Sequence, residues 1–172
     1  MKKLITLSLA TLTTLSLVAC SSSKSSSSNG DSRSTSSKVA STQNEKNAKR
    51  VSKEFNTDGE KVVTTKIETN VVDDQSKTNK NGDQVPHESI KVLVTDKATK
   101  NKIKKDKAAI DNGSATYDQK MYILGIQETI SNAAKKLNNK DTISFGYQED
   151  SDNSVLVALS MKNKDVIQHV SI

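Results

Sequence analysis

Tyr117 to Asn138 reads YDQKMYILGIQETISNAAKKLN, and Thr142 to Met161 reads TISFGYQEDSDNSVLVALSM. In the first stretch Ile123, Ile126, Ile130, Ala133/Ala134 and Leu137 recur at spacings of three and four, which makes an apolar stripe on one helix. Ser114 or Thr116 can cap its start, and Asn138-Asn139 can end it. In the second stretch the period drops to two, so Ile143, Phe145 and Tyr147 share one face of a strand over Thr142 to Gln148. Asp150-Ser151-Asp152-Asn153 is a turn. Ser154 to Met161 is apolar at most positions, as expected of a strand inside a sheet.

Further strands lie on both sides of this block. Lys61 to Val72 places Val63, Thr65, Ile67, Thr69 and Val71 on one side at period two. Asp73 to Gln84 is a polar loop with an Asn81-Gly82 turn signal. Ser89 to Thr95 reads as a strand that pairs back onto the first, with Pro86 just before it, where a missing N–H is tolerable. Asn163-Lys164 permits a turn before a last strand over Val166 to Ile172. Thr42 to Phe55 adds a short helix. The expectation for residues 43–172 is therefore one small α+β domain, an antiparallel sheet packed against one long helix.

The net charge of +6 overstates how basic this domain is. Lys2 and Lys3 lie at the very start of the chain, ahead of an apolar stretch, and residues 21–42 carry three cations against Asp31, so residues 43–172 keep about +2. One cluster stands out: Lys97, Lys100, Lys102, Lys104, Lys105 and Lys107, broken only by Asp106 among charged residues. It is a patch for an anionic partner, such as a lipid headgroup, a wall polymer or an acidic protein, or else a solvated helix face or loop. Lysines near an anionic surface contribute about 1 kcal/mol each. No aromatic residue interrupts the run, so base stacking has nothing to use, and nucleic acid is not an expected partner.

Catalytic and metal signals are weak. Asp150 to Ser154 imitates the opening of a calcium loop, but its sixth position is Val155 and its twelfth is Met161, where glycine and a bidentate glutamate are needed. His87 and His169 lack a helical i, i+4 partner, and His87-Glu88-Ser89-Ile90-Lys91 lacks the second histidine of a zinc protease. Asp73-Asp74 and Glu149-Asp150 are adjacent in sequence, so on strands they point apart, whereas acid/base pairs must converge. No catalytic residue, cofactor or metal site is expected. With Phe55, Tyr117, Tyr122, Phe145 and Tyr147 the only rings beyond residue 42, a sugar-stacking surface is also disfavoured.

The beginning of the chain carries an address. Met1-Lys2-Lys3 is a positive start, and Leu4 to Ala19 is apolar apart from six hydroxyl residues, which is the pattern of a secretory signal peptide. A bilayer span takes about 20 predominantly apolar residues, more than this segment offers. Leu17-Val18-Ala19-Cys20 resembles the bacterial lipobox. The resemblance implies diacylglycerol attachment to the Cys20 sulfur, cleavage between Ala19 and Cys20, and a mature protein without a free thiol. Two acyl chains make a stable anchor, where one binds marginally.

Residues 20–42 follow as a tether. Ser21 to Thr42 holds twelve serines in 22 residues, a composition expected to stay disordered. As a coil it spans roughly 25 Å, and at most about 75 Å when stretched. The expected protein is a lipoprotein on the extracytoplasmic face of the cell membrane, with signal peptide 1–19, tether 20–42 and domain 43–172. Its expected role is that of a non-catalytic binding module of the envelope. Two alternatives stand beside it: an envelope hydrolase with an unrecognised site, and a peptide pheromone cut from the signal tail around Thr13 to Ala19.

Overall fold

The computed structural model describes residues 39–172. The signal segment, Cys20 and the tether up to residue 38 lie outside the described residues. Helix α1, Thr42–Phe55, opens the fold, and its N-cap Ser41 accepts from the Asn44 main-chain N–H. Ser41 and Thr42, read above as the end of the tether, thus belong to the domain. Strand β1, Val63–Val71, follows, then a small hairpin of β2, Lys77–Thr78, and β3, Gln84–Val85, then β4, His87–Val94. The hairpin turn takes Gly82 at φ 90°, a left-handed backbone where glycine escapes the Cβ penalty.

Helices α2, Lys97–Asp111, and α3, Tyr117–Ala134, join β4 to β5, Thr142–Gln148. Strand β6, Ser154–Met161, and β7, Lys164–Asp165, complete the chain of elements. The main sheet runs β1-β4-β5-β6-β7. Neighbours pair antiparallel except β4 and β5, which run parallel, with Ile90 opposite Ile143, Val92 opposite Phe145 and Val94 opposite Tyr147. The expected purely antiparallel sheet is thereby corrected to a mixed one. A hairpin turn forces antiparallel pairing, but a helical crossover permits a parallel return.

The expected single long helix is corrected as well, since three helices of comparable length share the work. Together they cover one face of the sheet. Ala48 and Val51 of α1, Ile103 of α2, and Ile123, Ile126 and Ile130 of α3 meet Val63, Ile90, Val92, Val94, Ile143, Phe145 and Tyr147 in one buried cluster. Helix α3 carries a capping box: Thr116 accepts from the Gln119 N–H, and the Gln119 side chain accepts from the Thr116 N–H. It ends at Ala134, earlier than the apolar stripe suggests. The next turn tightens to i→i+3 bonds from Lys136 and Leu137, which still buries Leu137.

The expected last strand over Val166 to Ile172 does not form. After β7 the N–H groups of Val166 and Ile167 both turn to the Leu159 carbonyl, and the tail leaves the ladder. The buried Gln127 holds it instead. Its amide donates to the Val157 and Gln168 carbonyls, and its oxygen accepts from Val170 N–H at 2.8 Å.

Candidate functional site

Three regions of the domain carry polar chemistry: the lysine helix, a buried carboxylate pair, and the sheet face without a helix on it. The lysine run forms the body of α2, where Asp96 caps the start by accepting from Thr99 N–H at 2.6 Å. Only Ile103 and Asp106 of this helix are buried.

Four of the six lysines are already engaged inside the domain. Lys100 donates to the Gln148 carbonyl and stands 5.6 Å from the Tyr147 ring centre. Lys102 pairs with Asp106 and lies 3.8 Å from the Tyr122 ring centre, close enough for a cation–π contact. Lys104 reaches Glu149 at 2.5 Å, and Lys107 reaches Asp111 at 2.8 Å. Burial raises the Tyr122 and Tyr147 hydroxyls above the ordinary tyrosine range. Lys97 and Lys105 are exposed and have no hydrogen-bond or ion-pair partner among the described residues. The run is continuous in sequence, but in space only these two lysines stay fully available to an outside anion.

The buried pair is Glu88 and Asp141, at the starts of the parallel strands β4 and β5. Glu88 accepts from Ser41 N–H at 3.0 Å, from Ser41 Oγ at 2.8 Å and from Asn44 Nδ2 at 2.7 Å. Asp141 accepts from Asn44 Nδ2 at 2.9 Å, from Glu88 N–H at 3.0 Å and from Asn138 Nδ2 at 3.1 Å. One amide thus bridges two carboxylates; the N-cap Ser41 of α1 supplies the other donors to Glu88, as suits an anion at a helix N-terminus, while β4 and the segment after α3 supply those to Asp141. This arrangement ties α1 to the sheet. Among the described residues no group of three or more His, Cys, Asp or Glu side chains could hold a metal ion.

The helix-free face of the sheet is floored by small side chains. Ser89 of β4 and Thr142 and Ser144 of β5 line a groove of about 320 Å³, with Lys91, Leu93, Ser154, Leu156 and Leu159 around them. Gly146 belongs to the same floor, and here glycine is required. A Cβ on it would lie 2.2 Å from the Val155 carbonyl oxygen, at the bulge where β5 meets β6.

His87 closes one end. Thr142 Oγ1 shares a hydrogen bond with Ser89 Oγ at 2.9 Å and stands 3.4 Å from His87 Nε2, while Ser76 Oγ stands 3.3 Å from Nδ1. Asp73 Oδ2 stands 3.8 Å from Nε2, outside hydrogen-bonding distance. The buried histidine therefore acts as a pin that holds the 73–85 loop to the sheet. The Asp150–Asn153 segment is a hairpin turn, with Asp150 accepting from Asp152 and Asn153 N–H. His169 lies 3.4 Å from Asp165 near the chain end.

A second groove, about 400 Å³, opens between α2, α3, β6 and the C-terminal tail, where Ile110, Ile123, Leu156, Val157, Ile167 and Val170 make it largely apolar. No family model, curated protein or solved structure matches the chain. Sequence reading missed the Glu88–Asn44–Asp141 bridge and the hydroxyl floor. The bridge left a trace: Glu88 stands in phase with Ile90, Val92 and Val94, and Asp141 stands in phase with Ile143, Phe145 and Tyr147. Carboxylates at core-facing positions signal partners elsewhere in the chain.

Proposed function

We propose that the chain is a lipoprotein anchored through Cys20 to the extracytoplasmic face of the bacterial cell membrane, and that its α+β domain binds another envelope component without chemistry of its own. The anchor rests on Leu17-Val18-Ala19-Cys20. The binding role rests above all on the helix-free sheet face, where hydroxyl-bearing floor residues lie between the half-exposed side chains of Lys91, Leu93 and Leu156. The floor hydroxyls of Ser89, Thr142 and Ser144 are buried, so a partner would meet the rim of Lys91, Leu93 and Leu156 first; a mixed polar and apolar rim suits a macromolecular partner better than a small substrate, which usually sits in an enclosed pocket. The non-catalytic reading follows the spent hydrogen-bonding capacity of His87 and of the Glu88–Asp141 pair.

The anchor has a direct test. The native chain should fractionate with membranes and take up labelled palmitate, and Cys20→Ala should abolish both. A Cys20→Ala form that stays membrane-bound would overturn the assignment. The lysine helix supports a secondary anionic contact. Lys97→Gln with Lys105→Gln should weaken salt-sensitive adsorption to phosphatidylglycerol vesicles. Lys102→Gln with Lys104→Gln should weaken it less, because those two side chains are paired within the domain.

A further inference from the structure

We propose that two copies of the chain pair through the outer edge of β1, antiparallel, about a two-fold axis at Ile67. Strand β1 is the end strand of the sheet and its longest member. Its inner side is spent on β4: the Val62 carbonyl accepts from Thr95 N–H, pairing continues from Val63 to Glu68, and after a bulge in which Asn70 takes φ 58° it resumes with Val71 opposite His87. Alternation along the regular part of the strand then aims the main-chain groups of Val63, Thr65 and Ile67 outward, up to the bulge.

The outward groups of Val63 are already capped. Asn56 Oδ1 accepts from Val63 N–H at 2.8 Å, and Asn56 Nδ2 donates to the Val63 carbonyl at 3.0 Å. That side chain imitates one rung of a neighbouring strand and stops there. Beyond it, Thr65 and Ile67 have no hydrogen-bond partner on the outer edge among the described residues.

The sequence of this edge is complementary to itself. Read about Ile67, TKIET places Thr65 opposite Thr69 and Lys66 opposite Glu68, between the Asn56 cap on Val63 and the bulge at Asn70. In the antiparallel two-fold pairing Ile67 meets Ile67 of the second copy, and each Lys66 faces a Glu68 across the seam, twice, adding to the contacts that Glu68 already makes with Lys91 at 2.7 Å and Lys66 at 3.2 Å in its own chain. A shift of two residues in either direction sets Lys66 against Lys66 or Glu68 against Glu68, and like charges directly opposite are destabilising. One register is therefore selected.

A charged residue on an edge strand commonly prevents pairing. Here the glutamate two positions on turns that protection into a choice of partner, a second copy of this chain. Both charges lie on the helix-free side, so the pairing would join the two open faces into one surface. An isologous contact of this size belongs to the small, transient class of interfaces. Confinement of both copies to one membrane would raise their effective concentration.

Cysteine crosslinking of the full-length chain, in whichever cell fraction it occupies, tests this directly. Opposite residues in antiparallel strands have Cα atoms about 4.5–5.5 Å apart, within disulfide reach. Ile67→Cys should give a disulfide dimer at least fivefold above the unsubstituted chain. Lys66→Cys and Glu68→Cys should each stay at baseline alone, yet co-expression of the two should restore the dimer. The co-expressed pair keeps the experiment decisive if Ile67→Cys perturbs folding, since Lys66 is exposed and Glu68 lies on the helix-free side. No dimer from the co-expressed pair, or equal dimer from either single variant alone, would overturn the pairing.

Discussion

Strands β4 and β5 present two different surfaces from one continuous backbone. On the helix side, Ile90, Val92, Val94, Ile143, Phe145 and Tyr147 interlock with three helices. On the other, Ser89, Lys91, Leu93, Thr142, Ser144 and Gly146 alternate with them and meet no helix. The first surface is built for packing, with volume and shape as its currency. The second is kept small, so that backbone approach and hydrogen bonding decide what rests on it. Adjacent residues should therefore respond very differently to the same substitution.

The largest effect is expected at Phe145, where truncation to alanine empties a fully buried site beside Phe55, whose ring centre is 4.8 Å away. Phe145→Ala should cost about 4 kcal/mol in urea unfolding. Its neighbour on the open face is next: Gly146→Ala forces a Cβ against the Val155 carbonyl and should cost about 3 kcal/mol, at the upper end for overpacking. A cost below about 1 kcal/mol would mean that the β5–β6 bulge yields easily.

Asn44→Ala removes the amide shared by two buried carboxylates and should cost about 2 kcal/mol. Ser144→Ala, one residue from Phe145 but on the open face, should stay within about 1 kcal/mol. A loss at Ser144 as large as that at Phe145 would erase the distinction between the two faces.

The smallest effect concerns acid. Hydrogen bonding from Lys91 holds the Glu68 carboxyl below the usual glutamate range, with Lys66 helping and partial burial opposing. A lowered folded-state value means that the stabilisation is complete above the unfolded-state value and is lost as pH falls through the folded one. Glu68→Gln should flatten the acid limb of the stability curve and leave the neutral-to-alkaline limb parallel to that of the native chain. An unchanged acid limb would show that the Lys91–Glu68 pair, at 2.7 Å, contributes nothing in solution.

The packed surface was legible in the sequence, because the apolar periods of three to four and of two map directly onto elements that share a core. The α3 stripe, the Ile143/Phe145/Tyr147 face, the pairing of β4 back onto β1 and the Thr42–Phe55 helix all appear in the structure. Strand direction was not legible. The parallel β4–β5 pair depends on a crossover through both α2 and α3, and while the α3 stripe is plain, α2 reads as a lysine run with one apolar anchor, Ile103. The tail after β7 escaped for a similar reason: its periodicity suits a strand, but Gln127 in α3 competes for its backbone.

Long-range polar partners were the least legible, since nothing near Asn44 in sequence announces Glu88 or Asp141. Even so, Glu88 and Asp141 each precede an apolar alternation in phase with it. Two such carboxylates on parallel neighbours come together once the direction of the pair is known. The lysine run shows the reverse error, where local density overstated what remains free in space.

The proposal that the open face is the binding face has one direct test, photo-crosslinking in intact cells. A benzophenone side chain would be placed at Leu93 or Ser154 on the open face, at Ile167 in the apolar groove by the tail, and at Tyr117 on the exposed side of α3. Specific adducts at Leu93 and Ser154, with none at Ile167 or Tyr117, are the predicted result. Adducts confined to Ile167 or Tyr117, or spread evenly over all four positions, would contradict it.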